Sequence, residues 1–106
     1  MSRRGMLDAV VVGGGVVGTA CAMMLARDGL QVALVEGREP SPWSAQSPDL
    51  RVFAFAHDNA ALLDALGVWP QVTQARAHPY LRMRVWDAAG GGELAFDADA
   101  MGRREL

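Results

Sequence analysis

Six residues constrain this chain more than any others: Gly13-Gly14-Gly15-Val16-Val17-Gly18, set between an apolar run and a helical pattern. Leu7 to Val12 is short, rich in valine and reads as a buried strand. Val16 to Arg27 reads as a helix with a small face, Gly18 and Ala22, and a bulky one that includes Met23, Met24 and Leu25. Asp28-Gly29 ends it, with Gly29 suited to the left-handed position after a helix. Gln31 to Val35 reads as a second buried strand. Strand, helix and strand over residues 7–36 make a βαβ unit, whose crossover is right-handed by the general rule.

A G-x-G-x-x-G pattern alone is weak; directly off a strand and opening a helix it acquires a mechanism. Gly13 permits the tight turn, Gly15 leaves the backbone open to a pyrophosphate, and Gly18 lets helix and strand pack closely. The free N–H groups at the helix start can then bond phosphate oxygens, aided by the helix dipole. Glu36, at the end of the second strand, stands where a carboxylate accepts bonds from the hydroxyls of an adenosine ribose. Its charge would repel a 2′-phosphate, which argues against NADP at this site.

Composition narrows the alternatives. The 106 residues suit one small domain, 51% hydrophobic, with a net charge of −2. No basic run points to nucleic acid or an anionic membrane patch. The single cysteine, Cys21, excludes an intrachain disulfide and reads as a buried small hydrophobe. A reducing cytoplasm fits this usage. Asp8 and the glycines interrupt the N-terminal apolar run too early for a signal peptide, and no stretch is long enough to span a membrane. His57 and His78 lack partners at metal-ligand spacing. Ser41, Ser44 and Ser47 lack the setting of a nucleophile elbow. Trp43, Trp69 and Trp86 read as packing or loop anchors.

Residues 37–52, with Pro40, Pro42 and Pro48 among serines, read as a loop of functional length. Asp58 to Leu66 is helical, with Ala61, Leu62, Ala65 and Leu66 on one face, His57 or Asp58 as cap and Gly67 as stop. Residues 81–96 read as two strands joined by a glycine-rich turn, Leu81, Met83 and Val85 alternating with Arg82 and Arg84. The tail 97–106 shows no finishing element. The expected architecture is α/β: a Rossmann-like dinucleotide-binding βαβ unit, then a helix and hairpin over 53–98.

Gly18, Ala22, Leu25, Gly29, Val32 and Glu36 fall at the intervals of the extended FAD fingerprint. There the chain resembles the flavoprotein aromatic-ring hydroxylases typified by para-hydroxybenzoate hydroxylase. Within them it is most similar to those acting on polyprenyl phenols and quinols in ubiquinone biosynthesis. Asp49, Arg51, Leu66, Gly67 and Trp69 match that group's Asp-x-Arg segment and the helix ending Leu-Gly-x-Trp. The resemblance implies FAD as cofactor and Gly13, Gly14, Gly15, Val16, Val17, Gly18 and Glu36 at its ADP half. It implies Arg51 near the flavin and its phosphates, where a guanidinium offsets pyrophosphate charge, and Arg38 against the adenine. It implies a monooxygenation in which NAD(P)H reduces the flavin and O₂ supplies an oxygen atom to an electron-rich ring. The family's middle Asp-Gly motif, its later Gly-Asp motif and its substrate domain have no counterpart here, so residues 1–106 resemble the N-terminal quarter of a hydroxylase. No residue reads as a catalytic acid or base, and the chain alone is expected to be inactive. A cytoplasmic place with peripheral contact to the inner membrane fits a polyprenyl substrate, and uncovered apolar edges would favour homo-oligomers. Another FAD-dependent oxidoreductase, an NAD-binding Rossmann domain and a non-enzymatic module remain open as alternatives.

Overall fold

The computed structural model describes residues 5–106. Its first unit is strand β1 (Ala9–Val12), helix α1 (Val16–Arg27) and strand β2 (Val32–Val35). β1 and β2 run parallel, with Ala9 opposite Val32 and Val12 opposite Val35. Both strands are shorter than the apolar runs predict, because Asp8 and Gln31 form a clasp below the ladder. The Asp8 N–H donates to the Gln31 carbonyl at 2.8 Å, and the Gln31 N–H donates to Asp8 Oδ2 at 2.8 Å. Helix α1 has the expected bounds, and the Leu30 N–H closes it on the Leu25 carbonyl around Gly29 at φ +86°.

An irregular segment then runs to helix α2 (His57–Ala65), followed closely by α3 (Trp69–Arg76). The cap of α2 is Ala56, with no side-chain bond; His57 and Asp58 lie inside the first turn. The His57 ring is engaged elsewhere, its Nε2 lying 2.9 Å from the Glu105 carbonyl oxygen. Gly67 ends α2 at φ +81°, and the Val68 N–H reaches back to Leu63. Helix α3 went unread in the sequence, although Pro70 in its first turn is a recognised start signal. Strands β3 (Arg82–Trp86) and β4 (Glu93–Asp97) form the expected antiparallel hairpin, with Met83 opposite Phe96. The tail is tied down: the Leu106 N–H donates to the Tyr80 carbonyl at 3.0 Å.

Packing departs further from expectation. Among the described residues only Leu63, Leu66 and Ala98 are buried. The inward face of α2 is therefore Leu63 with Leu66, while Leu62 is 39% exposed and Ala61 and Ala65 lie at the surface. Helix α3 packs against α2. Cys21 is exposed rather than buried. Helix α1 packs against the two strands, with Gly18, Ala22 and Leu25 half-buried along it and Val17, Cys21 and Met24 exposed. In the hairpin Met83 is half-buried but Leu81 and Val85 are exposed, since no further layer covers that face. Trp43 and Trp86 are also exposed, the Arg84 guanidinium lying 5.7 Å from the centroid of the Trp86 ring, whereas Trp69 packs edge-on to Phe55 with ring centroids 6.1 Å apart.

The radius of gyration is 18.3 Å, against ~13 Å for a compact domain of this length. The accessible surface is 9141 Å², where a folded monomer of this mass exposes roughly 5,700 Å². The α2 register makes a sharp expectation. Leu66→Ala should cost about 2–3 kcal/mol of unfolding free energy, and Leu62→Ala under about 1 kcal/mol. Urea titrations followed by circular dichroism check this; equal losses would mean that α2 presents the other face.

Candidate functional site: the glycine turn and the acid opposite

The turn between β1 and α1 is held from three sides. The Gly13 N–H donates to the Val35 carbonyl at 2.8 Å, tying the turn to the end of β2. The Thr19 hydroxyl donates to the Gly14 carbonyl at 3.1 Å, tying it to the first turn of α1. Gly13 itself sits at φ +107°, closed to other residues without strain. A Cβ on Gly18 would stand 1.9 Å from the Gly13 carbonyl oxygen, so helix and turn meet backbone to backbone there. Thr19 escaped the sequence reading; a hydroxyl one position past the last glycine was its signal.

This packing leaves the helix start open. Gly15 caps α1 without a side chain, and the first turn carries no acidic residue. A Cβ on Gly15 would meet nothing within 4 Å. Val16 and Val17 are exposed on the same turn. Unpaired N–H groups, a positive helix end and a bare backbone together can receive an anion. Glu36 lies across from them. Its Oε2 accepts the Gly14 N–H at 2.5 Å and its Oε1 accepts the Gly37 N–H at 3.0 Å. Both oxygens retain lone pairs for hydroxyl donors. The residues present thus fit a nucleotide with a pyrophosphate and a free ribose, and Arg38 stands exposed in the bend just beyond Glu36.

Arg51 is placed differently. It lines an open cleft of about 1120 Å³ whose walls include Trp43, Phe53, Phe55, Trp69 and His78, and the glycine turn is not one of those walls. Arg51 Nη2 lies 3.6 Å from Asp49 Oδ2, with both side chains largely exposed. The Arg51 N–H also donates to Asp49 Oδ1 at 3.0 Å. That backbone bond is the main reason the Asp49 carboxyl is held below the usual carboxylate range; the Arg51 charge adds to it, while slight desolvation opposes it. A carboxyl lowered in this way supports its turn above the unfolded value and loses that support as pH falls through the folded one. Two further arginines fix the surroundings. Arg27 donates from Nη1 to the Ala65 carbonyl and from Nη2 to the Leu66 carbonyl at 3.1 Å, bridging α1 to the end of α2. Arg76 donates to the Ala45 carbonyl and pins the long loop to α3. An arginine in a last helical turn was the available signal for both.

With that geometry in place the comparisons are informative. Residues 8–84 match the FAD dependent oxidoreductase family, and the chain belongs to it. Its relatives lie in ubiquinone biosynthesis. It is 43% identical over 81 residues to the 3-demethoxyubiquinol 3-hydroxylase of Escherichia coli, a match covering 76% of this chain and 21% of that protein. It is 37% identical over 100 residues to the mitochondrial ubiquinone biosynthesis monooxygenase of Xenopus tropicalis, covering 89% of this chain and 22% of the relative. It is 37% identical over 87 residues to a ubiquinone hydroxylase of Rhodospirillum rubrum, covering 82% and 20%. The chain thus spans about a fifth of the length of the relatives it matches.

Two expectations follow from the site. Gly18→Ala should lower stability by about 2 kcal/mol, a fall in Tm of roughly 8–16 °C, while Gly15→Ala should stay within about 0.5 kcal/mol of the parent. Thermal melts of both variants test this, and a stable Gly18→Ala would refute the close contact. For Asp49, an NMR titration of the carboxyl carbon should show that Arg51→Ala keeps most of the lowering, whereas Arg51→Pro, lacking the N–H, removes it. A complete return to the ordinary value in Arg51→Ala would assign the effect to charge instead.

Proposed function

We propose that this chain is the ADP-binding part, by resemblance the opening part, of the FAD domain of a flavin-dependent monooxygenase. In this reading the parallel β1–α1–β2 unit is Rossmann-like, and the parent enzyme hydroxylates a polyprenyl phenol or quinol in ubiquinone biosynthesis. The activities for which the relatives are named support the substrate class. The observation that carries the reading is the pairing of an open, glycine-capped helix start with Glu36 across the turn.

Each residue then has a task. Gly13 to Gly18 form the turn and the helix start: the Gly13 and Gly14 N–H groups hold the Val35 carbonyl and Glu36, the open end of the helix at Gly15, Val16, Val17 and Gly18 receives the pyrophosphate, and Glu36 accepts the ribose hydroxyls. Arg38 borders the adenine. Arg51 adds positive charge on the flavin side. Bound flavin, reduced by NAD(P)H, supplies the redox and oxygen-transfer chemistry; the chain binds and orients it. Sites for the flavin ring, nicotinamide and substrate belong to the remainder of the parent domain, so this chain alone binds nucleotide without hydroxylating anything. Among the described residues no helix is long and apolar enough to cross a membrane. Contact with the inner membrane from the cytoplasmic side, and self-association through the uncovered apolar faces, belong to the same proposal.

Isothermal titration with FAD, ADP-ribose and NAD tests this reading. The expected result is saturable binding of FAD and ADP-ribose with similar affinity, weakened about tenfold in Glu36→Ala. A folded chain that binds none of them would overturn it.

A further inference from the structure

The middle glycine of the turn has a task that the turn itself does not demand. Gly14 lacks a positive φ, so its backbone conformation is open to any residue. The bare N-cap is Gly15, and the contact with the helix is made by Gly18. What excludes a side chain at Gly14 is Glu36. A Cβ there would lie 2.9 Å from Oε2, 3.1 Å from Cβ and 3.3 Å from Cγ of that residue. The tip of the glutamate could swing away, but its Cβ belongs to the end of β2 and moves only with the strand. Meanwhile the Gly14 N–H donates to Oε2 at 2.5 Å and the Gly37 N–H to Oε1 at 3.0 Å. The carboxylate is gripped by one amide on each oxygen, one of them from the glycine turn.

We infer that Gly14 is a positioning residue for ribose recognition: its missing side chain and its N–H hold the Glu36 carboxylate where it reads the free 2′-hydroxyl of an adenine nucleotide. This rests on the reading of Glu36 as a ribose acceptor under Proposed function. Hydrogen bonds to an ionised acceptor gain most when the acceptor is already oriented, because no side-chain freedom is lost on binding. Displacing the carboxylate by a methyl group on Gly14 removes that orientation while leaving the pyrophosphate cradle at Gly15 intact. The loss is therefore selective for the hydroxyl and does not fall on the nucleotide as a whole.

The test is the ratio of Kd for 2′-deoxy-ADP-ribose to Kd for ADP-ribose, measured on the 106-residue chain, on Gly14→Ala and on Glu36→Gln. An exposed charged hydrogen bond sets the expected ratio at about tenfold in the parent. In Gly14→Ala it should fall below about threefold, with 2′-deoxy-ADP-ribose bound as well as before. A parent ratio near one, or a Glu36→Gln ratio equal to the parent's, overturns the ribose reading itself. A lowered ratio in Glu36→Gln with the full ratio retained in Gly14→Ala overturns only the role of Gly14. A ligand-free measurement stands beside these in case Gly14→Ala fails to fold. The Gly14 amide proton in the parent should lie downfield and move upfield in Glu36→Gln, together with that of Gly37. An unmoved Gly14 resonance would show that the grip does not exist in solution.

Discussion

The approach of α1 to the turn before it governs the ordered first unit of this chain. Gly18 faces the Gly13 carbonyl so closely that no side chain fits between them. That contact lets α1 lie along β1 and β2, and it aims the helix start at the end of β2, where Glu36 begins the exit loop. Parallel strands need a crossover, and a crossover this short needs the helix tight against the strands. The clasp of Asp8 with Gln31 at one end and of Gly13 with Val35 at the other then holds the two-stranded ladder in register. The glycines therefore serve two ends at once: they permit the packing, and the same absence of side chains leaves the helix N-terminus bare.

Apolar packing is sparse both inside that unit and beyond it. Among the described residues only Leu63, Leu66 and Ala98 are fully buried, so apolar burial offsets the conformational entropy of the chain mainly through half-buried side chains. Val12, Val17, Leu50 and Val52, all more than 80% exposed, show where apolar surface is left open. A parallel sheet is ordinarily covered on both faces, and here Val10, Leu34 and Val35 are exposed on β1 and β2. The βαβ unit and the α2–α3 pair are bridged by the Arg27 guanidinium, which answers the free carbonyls at the end of α2. Charge at a helix terminus thereby does work that a larger core performs elsewhere. The proportions agree with a chain spanning about a fifth of its relatives.

Much of the site was legible because its signals are local. Gly13, Gly15 and Gly18 declare themselves by spacing after an apolar run, Gly29 and Gly67 by following helical periods, and Glu36 by its distance from the turn. Helix α3 was missed because its composition gives no apolar stripe, and Pro70 reads equally as a loop residue. The inward face of α2 was misassigned because Ala61, Leu62, Ala65 and Leu66 form as good a stripe as Leu63 and Leu66; only tertiary packing chooses between them. Cys21 illustrates the same point, its small apolar surroundings in sequence saying nothing about which side of α1 meets the strands.

The sequence by itself determined the β1–α1–β2 unit, its glycine turn, the acid at its end and the family that these mark, since each depends on contacts between residues near in the chain. Tertiary structure alone decided that Gly14 faces Glu36, that Arg27 caps α2, that the tail returns to His57 and Tyr80, and that Arg51 stands in a cleft apart from the glycine turn. The reason is physical: periodicity and turn chemistry act over a few residues, whereas the partner of a carboxylate or guanidinium is chosen by whichever unpaired backbone group the folded chain brings within about 3 Å.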